Sequence, residues 1–272
     1  SAGPIVSQPL SAAPALHKPA FIVFLVLWAV NGALVLLKIE PPRGSTWPEA
    51  LLVLSATATL LAGLHRRLPL QNVALSAFLI AAIGGLLIAV SAKTGIPFGP
   101  RSFQKTAGWQ IFGAVPWPLP CLWIVAIVSA RGVARLIVRP WRKTNAYGFW
   151  VIGLTILLGL VFDFGLEPHA GAARRYWIWQ ARSSVPAWYG APWVNFLGWA
   201  VTMLGILFLT TPWLINKQPV KQPTDYHPLM VWLLLNLYLA TSNWVHGYGA
   251  AVVLGVTAGL VAAVFAIRGG RW

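Results

Sequence analysis

Two carboxylates stand four residues apart at the end of an apolar run: Asp163, which closes LLGLVFD, and Glu167, which precedes Pro168. If a helix continues through both, that step puts them on one face. Near hydrocarbon the charged form of a carboxyl is penalised, so such a group can hold a proton and deliver it near neutral pH. Two carboxyls close together couple their titrations and strengthen the effect. The chemistry this points to is proton donation by a general acid. The alternative is a plain helix end entering the aqueous interface, paired with Arg174 or Arg175. Glu40, which follows the first apolar run, is a further acidic candidate.

Aromatic density is the second feature. The chain has 16 tryptophans, and Trp177, Trp179, Trp188, Trp193 and Trp199 fall in one short segment with Tyr176 and Tyr189. Indole faces stabilise a developing cation, and they pack against a long polyene. Interfacial belts of any membrane protein also use tryptophan. TGIPFG, from Thr94 to Gly99, is a constrained loop. It lacks the phosphate-cradling pattern of a nucleotide site, and a simple re-entry turn explains it too. Asn195, Asn243 and His246 are polar residues at membrane depth, where each needs a partner. Hydrogen bonding between helices is the plainer account of the asparagines. The histidines show no ligand spacing, and no nucleophile motif accompanies them. No metal and no cofactor are expected. Aspartate occurs only at 163 and 225, which leaves no magnesium-binding cluster for a diphosphate substrate.

The elements that must position these residues are membrane spans. Of 272 residues 58% are hydrophobic and 9% charged, with a mean hydropathy of +0.70. A soluble domain has about a quarter of its residues charged. Several apolar runs reach the roughly 20 residues that cross a bilayer. The reading is an all-α polytopic bundle of eight spans, with seven as the fallback. They run at about 21–37, 50–64, 73–91, 112–130, 146–162, 194–214, 228–243 and 249–267. Pro116, Pro118 and Pro120 predict a kinked or extended first half for span 4. Residues 1–18 read as a flexible tail without a cleavable signal peptide, 19–268 as one transmembrane domain, and 269–272 as a C-terminal tail. The single cysteine, Cys121, excludes an intrachain disulfide.

The net charge of +15 does not point to nucleic acid, because the basic residues are scattered between apolar runs. They report topology instead. With an even number of spans, both termini share a side. That side receives the denser basic set: Lys18, Arg66, Arg67, the run from Arg131 to Lys143, Lys217, Lys221, Arg268 and Arg271. The other side holds Lys38, Arg43, Lys93, Arg101, Lys105, Arg174, Arg175 and Arg182. Both termini are therefore expected in the cytoplasm, with the plasma membrane as the location. Glu40, Glu49, Asp163 and Glu167 then gather at the opposite face, with His169 and His246.

Five motifs together resemble a known family. They are TGIPFG at 94–99, AVPWPLPCLW at 114–123, FDFGLEP at 162–168, YWIWQ at 176–180 and WYGAPWVNFLGW at 188–199. In that order they resemble the carotenoid biosynthesis membrane proteins of the CruF type, the carotenoid 1′,2′-hydratases, over about positions 20 to 265. The resemblance implies addition of water across the terminal double bond of an acyclic carotenoid, with no cofactor. It carries functional weight onto Asp163 and Glu167, and onto Thr94, Gly95, Gly99, Gly190, Pro192, Asn195 and Trp199. Trp177, Trp179, Tyr189, Asn243 and His246 are read as supporting or substrate-binding. Three positions depart from the pattern: Arg101 and Phe103 stand where the family's loop carries tyrosines, and Glu167 stands where it often has aspartate. The partners implied are an acyclic carotenoid or other long isoprenoid and membrane lipid. The rival reading is a non-catalytic carotenoid-binding or scaffold subunit of a membrane complex.

Overall fold

Apolar length and proline placement set out the helices. The structure, a computed structural model, describes residues 16–40, 46–180, 185–215 and 224–272. Among them are eight helices long and apolar enough to cross a membrane. They are α1 (His17–Leu36), α2 (Trp47–His65), α3 (Leu70–Thr94), α4 (Leu119–Ile137), α5 (Tyr147–Glu167), α6 (Trp193–Thr210), α7 (His227–Val245) and α8 (Gly249–Gly270). Pro48, Pro120 and Pro228 each sit in a first turn, where a missing amide hydrogen costs nothing. Hydroxyls inside the spans bond to the carbonyl four residues back, as Ser129 does to Val125 at 2.6 Å and Thr155 to Val151 at 2.6 Å. That satisfies them without water. The expectation of an all-α polytopic bundle holds.

Helix α4 lies at the centre, packed by α2, α3, α5, α7 and α8. Trp123, Val125, Ala126 and Ile127 on it are almost wholly buried. Large apolar side chains such as Phe78, Phe149, Phe208 and Val253 remain exposed on outer helices, as lipid contact requires. Three short antiparallel pairs close one end of the bundle. β1 (Arg101–Phe103) pairs with β4 (Trp177–Trp179), β2 (Gln110–Ile111) with β3 (Val115–Pro116), and β5 (Ala187–Trp188) with β6 (Ala191–Pro192).

Three boundaries differ from the sequence reading by about five residues or more. Span 4 starts at Leu119 rather than Phe112. Pro116 ends the β2–β3 hairpin and Pro118 caps the helix, so the irregular backbone precedes the span instead of kinking it. The span then runs on to Ile137, which takes Arg131 and Arg135 out of the basic loop and into the helix, with Arg131 buried. Span 5 does not end at Phe162. It continues to Glu167 and widens into a π-helical turn over Pro168–Ala173. The carboxylates there look like a loop by hydropathy, but buried partners hold them inside. Arg43, Arg182, Lys217, Lys221 and the first fifteen residues of the N-terminal tail lie outside the described residues.

Candidate functional site

Because α5 continues through Glu167, Asp163 and Glu167 do share one helix face, and both are buried, at 0% and 1% exposure. Asn195, in the first turn of α6, bridges them. Its Nδ2 donates to Asp163 Oδ2 at 2.9 Å and to Glu167 Oε1 at 3.1 Å. Strand β4 adds two indoles: Trp177 and Trp179 Nε1 donate to Glu167 Oε2 at 3.1 and 2.9 Å. Both rings can reach because they flank Ile178 and project to the same side of the strand. Glu167 therefore receives three donors. Asp163 receives one, and its Oδ1 has no partner among the described residues.

Among the described residues, one cation serves this pair. β1 lies beside β4 with Arg101 opposite Trp179, and the buried guanidinium sits among four rings. Its carbon lies 5.1 to 5.5 Å from the ring centres of Phe98, Phe103, Trp177 and Trp179. Burial pushes Arg101 down from its ordinary value, while the charges of Glu167 and Asp163 push it back up. One guanidinium thus faces two carboxyls. Arg174 and Arg175, partners of the pair only in the alternative reading of a plain helix end, are placed elsewhere. Arg174 reaches Glu49, and the Arg175 carbonyl accepts from Thr106.

A second polar cluster sits beside the first. Glu49, in the first turn of α2, accepts from Arg174 Nε at 2.9 Å, from Tyr238 Oη at 2.8 Å, and from Tyr176 Oη. His169 of the π-helical turn lies 3.6 Å from it and contacts Ser242 Oγ at 2.7 Å. Burial, and then the Glu49 charge, push the Tyr176 hydroxyl well above its ordinary value. Burial alone would lower Arg174; Glu49 outweighs it and holds the guanidinium above its usual range. This cluster lines one wall of a cavity of about 100 Å³, whose other walls include Leu119, Leu122, Phe162, Leu166, Trp177 and Leu239. Leu119, Leu122, Leu166 and Trp177 also wall a much smaller cavity that reaches Glu167, Arg101 and Trp199. Those four side chains stand between the apolar cavity and Glu167.

The remaining sequence candidates divide. Trp199 stacks on Trp123 at 4.1 Å beside the pair, and Asn243 Nδ2 donates to the Gly165 carbonyl at 2.9 Å, between the two carboxylates in sequence. Gly99 passes close under the site: a Cβ there would lie 3.1 Å from Pro192 and 3.4 Å from Trp179. Gly95 caps α3 with φ +75, and Thr94 Oγ1 accepts from the Ile96 amide at 3.1 Å, so both shape the loop from outside the pair. Tyr189 and Gly190, both at positive φ, form the β5–β6 turn, and Tyr189 accepts from the Ala250 amide. Pro192 caps α6. His246 touches the Ser242 carbonyl and stacks on Tyr248, and Glu40 is exposed; neither takes part in the polar contacts of the pair. Tyr238 and Arg101 have no site role in the sequence reading, which places Glu49 and His169 at the acidic face and Tyr176 in the aromatic segment without assigning them to the site. The pairing of carboxylates at one face pointed toward Glu49, whereas Tyr238 carried no local signal. Among the described residues no cluster of metal-ligating side chains is present.

The profile of the carotenoid biosynthesis protein family matches residues 48–264. The chain is also 26% identical over 175 residues to the bisanhydrobacterioruberin hydratase of Haloarcula japonica. That alignment covers 61% of this chain and 56% of the relative, so the chain spans just over half the length of that curated protein. No solved structure matches. Since the family match takes in both carboxylate clusters and most of the bundle, the chain belongs to the carotenoid biosynthesis protein family.

Proposed function

We propose that this chain is a carotenoid 1′,2′-hydratase, adding water to the terminal double bond of an acyclic carotenoid without a cofactor. The observation that carries this reading is the unequal treatment of two adjoining buried carboxyls. Glu167 takes three hydrogen bonds, as an anion requires, and Asp163 takes one and keeps a bare oxygen. With Arg101 as the one cation beside the pair among the described residues, the group is neutral when the pair holds one proton. Asp163 is then the acid and Glu167 its charged partner.

The reaction needs a proton on C2′ and a tertiary cation at C1′. The pair supplies the proton, and indole faces of the Trp177 type tolerate the cation without trapping it. Water attacks C1′, and the proton that the oxonium loses returns to the pair, so the sum is one added water. Tyr176, in the wall of the apolar cavity, turns its hydroxyl hydrogen toward Glu49, and its phenolic oxygen is the acceptor that orients that water. The 100 Å³ cavity takes only the end of a chain. Motion of Leu166 and Trp177 in the shared wall joins it to the pair. The relative's name, a hydratase, agrees with this chemistry.

A second reading, a carotenoid-binding or scaffold subunit without catalysis, draws on that same wall, which seals the carboxyls from the cavity. Expression in cells that make an acyclic carotenoid separates the two. Hydration yields a product one water heavier by mass spectrometry. Bound, unmodified pigment recovered with the purified protein, and no such product, supports the second reading.

A further inference from the structure

The end of the bundle away from the carboxylates holds a larger cavity, of about 270 Å³, between α2, α4 and the start of α7. Five arginines line it, Arg67, Arg131, Arg135, Arg139 and Arg142, against a single lining carboxylate, Asp225. That carboxylate is already engaged: its Oδ1 accepts from the His227 amide at 3.0 Å and lies 2.7 Å from His227 Nδ1. Burial alone would raise Asp225, but His227 and the Arg67 charge hold it below its ordinary value, so it stays anionic at neutral pH. The excess of cations therefore stands.

Arginine on this side of a membrane protein also reports topology, and exposed loop residues meet that need. This set goes further. Arg131 is 7% exposed, on the central helix, and spends one N–H on the Leu214 carbonyl at 3.1 Å. Arg139 is held in place by Thr224 Oγ1 at 2.7 Å. Arg67 is pushed down from its ordinary value by burial, against the opposing Asp225 charge and with the charges of Arg135, Arg66 and Arg139 adding to the fall. Like charges gathered around one cavity repel one another unless an anion sits among them. Guanidinium forks match the oxygens of phosphate in pairs. Leu60, Leu64 and Val128 extend the same wall as apolar surface.

We propose that this cavity binds a phosphate group, carried on an anionic lipid or free in solution. The site is separate from the carboxylate pair, so its test does not use hydration as the readout. The full chain in detergent is titrated with phosphatidylglycerol, with phosphatidylcholine as the zwitterionic comparison, and separately with inorganic phosphate. Binding is read by native mass spectrometry and by the unfolding midpoint. Arg135 and Arg142 are exposed rim residues, so Arg135→Gln/Arg142→Gln should fold. That double variant is expected to weaken binding by about tenfold or more. Arg268→Gln/Arg271→Gln removes two exposed charges that do not line the cavity and is expected to change binding by less than about twofold. Phosphatidylglycerol that inorganic phosphate does not displace marks the lipid as the source; binding of inorganic phosphate alone marks a free anion. Failure of both probes to bind, or equal weakening by the two double variants, overturns the proposal.

Discussion

Asp163 and Glu167 are chemically similar and electrostatically unlike, and the difference lies in the donors around them. Losing a general acid lowers a rate by about 10²- to 10⁴-fold. Asp163→Asn and Glu167→Gln are each expected to lower hydration by that order, at unchanged membrane abundance, in a pigment-extract assay. Trp179→Phe keeps the ring over Arg101 but removes one of the indole donors to Glu167. Hydrogen bonds to charged groups are worth about 1.5–3 kcal/mol, so its turnover should fall by about tenfold, while Trp109→Phe, exposed and away from the pair, leaves turnover unchanged. The carboxyl spacing was legible in the sequence because helical periodicity fixes which residues share a face. The bridging role of Asn195 was not, because it depends on how α6 docks on α5. Arg101 was visible only as a departure from a motif. Its place over Trp177 and Trp179 comes from pairing two three-residue strands distant in the chain, too short to leave a periodic signal.

At the scale of elements, close helix approach makes the site. A Cβ on Gly198 of α6 would lie 2.6 Å from the Pro97 carbonyl oxygen, and one on Gly84 of α3 would lie 2.5 Å from the Trp123 ring. Trp123 in turn stacks on Trp199 beside the pair. Gly198→Ala and Gly84→Ala are therefore expected to destabilise the protein by about 1–3 kcal/mol, read as a lower unfolding midpoint in detergent. A Cβ on Gly159 would meet only the flexible tip of Met203, at 2.3 Å, and Gly159→Ala should be milder than either. Apolar length made the eight spans legible, since a bilayer demands it. It misplaced the start of span 4 because Val115, Trp117 and Leu119 are as apolar in a hairpin and its exit as in a helix. The end of span 5 was hidden for the converse reason: Asp163 and Glu167 look like an exit into water, yet buried donors keep them within the bundle.

For the whole molecule, the lysine and arginine bias predicts the carboxylate end at the non-cytoplasmic face and the arginine cavity at the cytoplasmic face. In a Cys121→Ser background, Glu40→Cys should react with a membrane-impermeant maleimide in intact cells, and Arg271→Cys only after lysis. The reversed pattern would invert the orientation. This orientation rests on the lysine and arginine bias alone, whereas the partition between apolar cavity and Glu167 required the packed bundle. The central claim is that the Asp163–Glu167 pair delivers the proton. Its most direct test is hydration of an acyclic carotenoid by membranes prepared in deuterium oxide. Wild-type protein is expected to give a tertiary alcohol with one deuterium at C2′, and Asp163→Asn and Glu167→Gln to give almost none. Full product from both variants, or product without deuterium at C2′, would contradict the account.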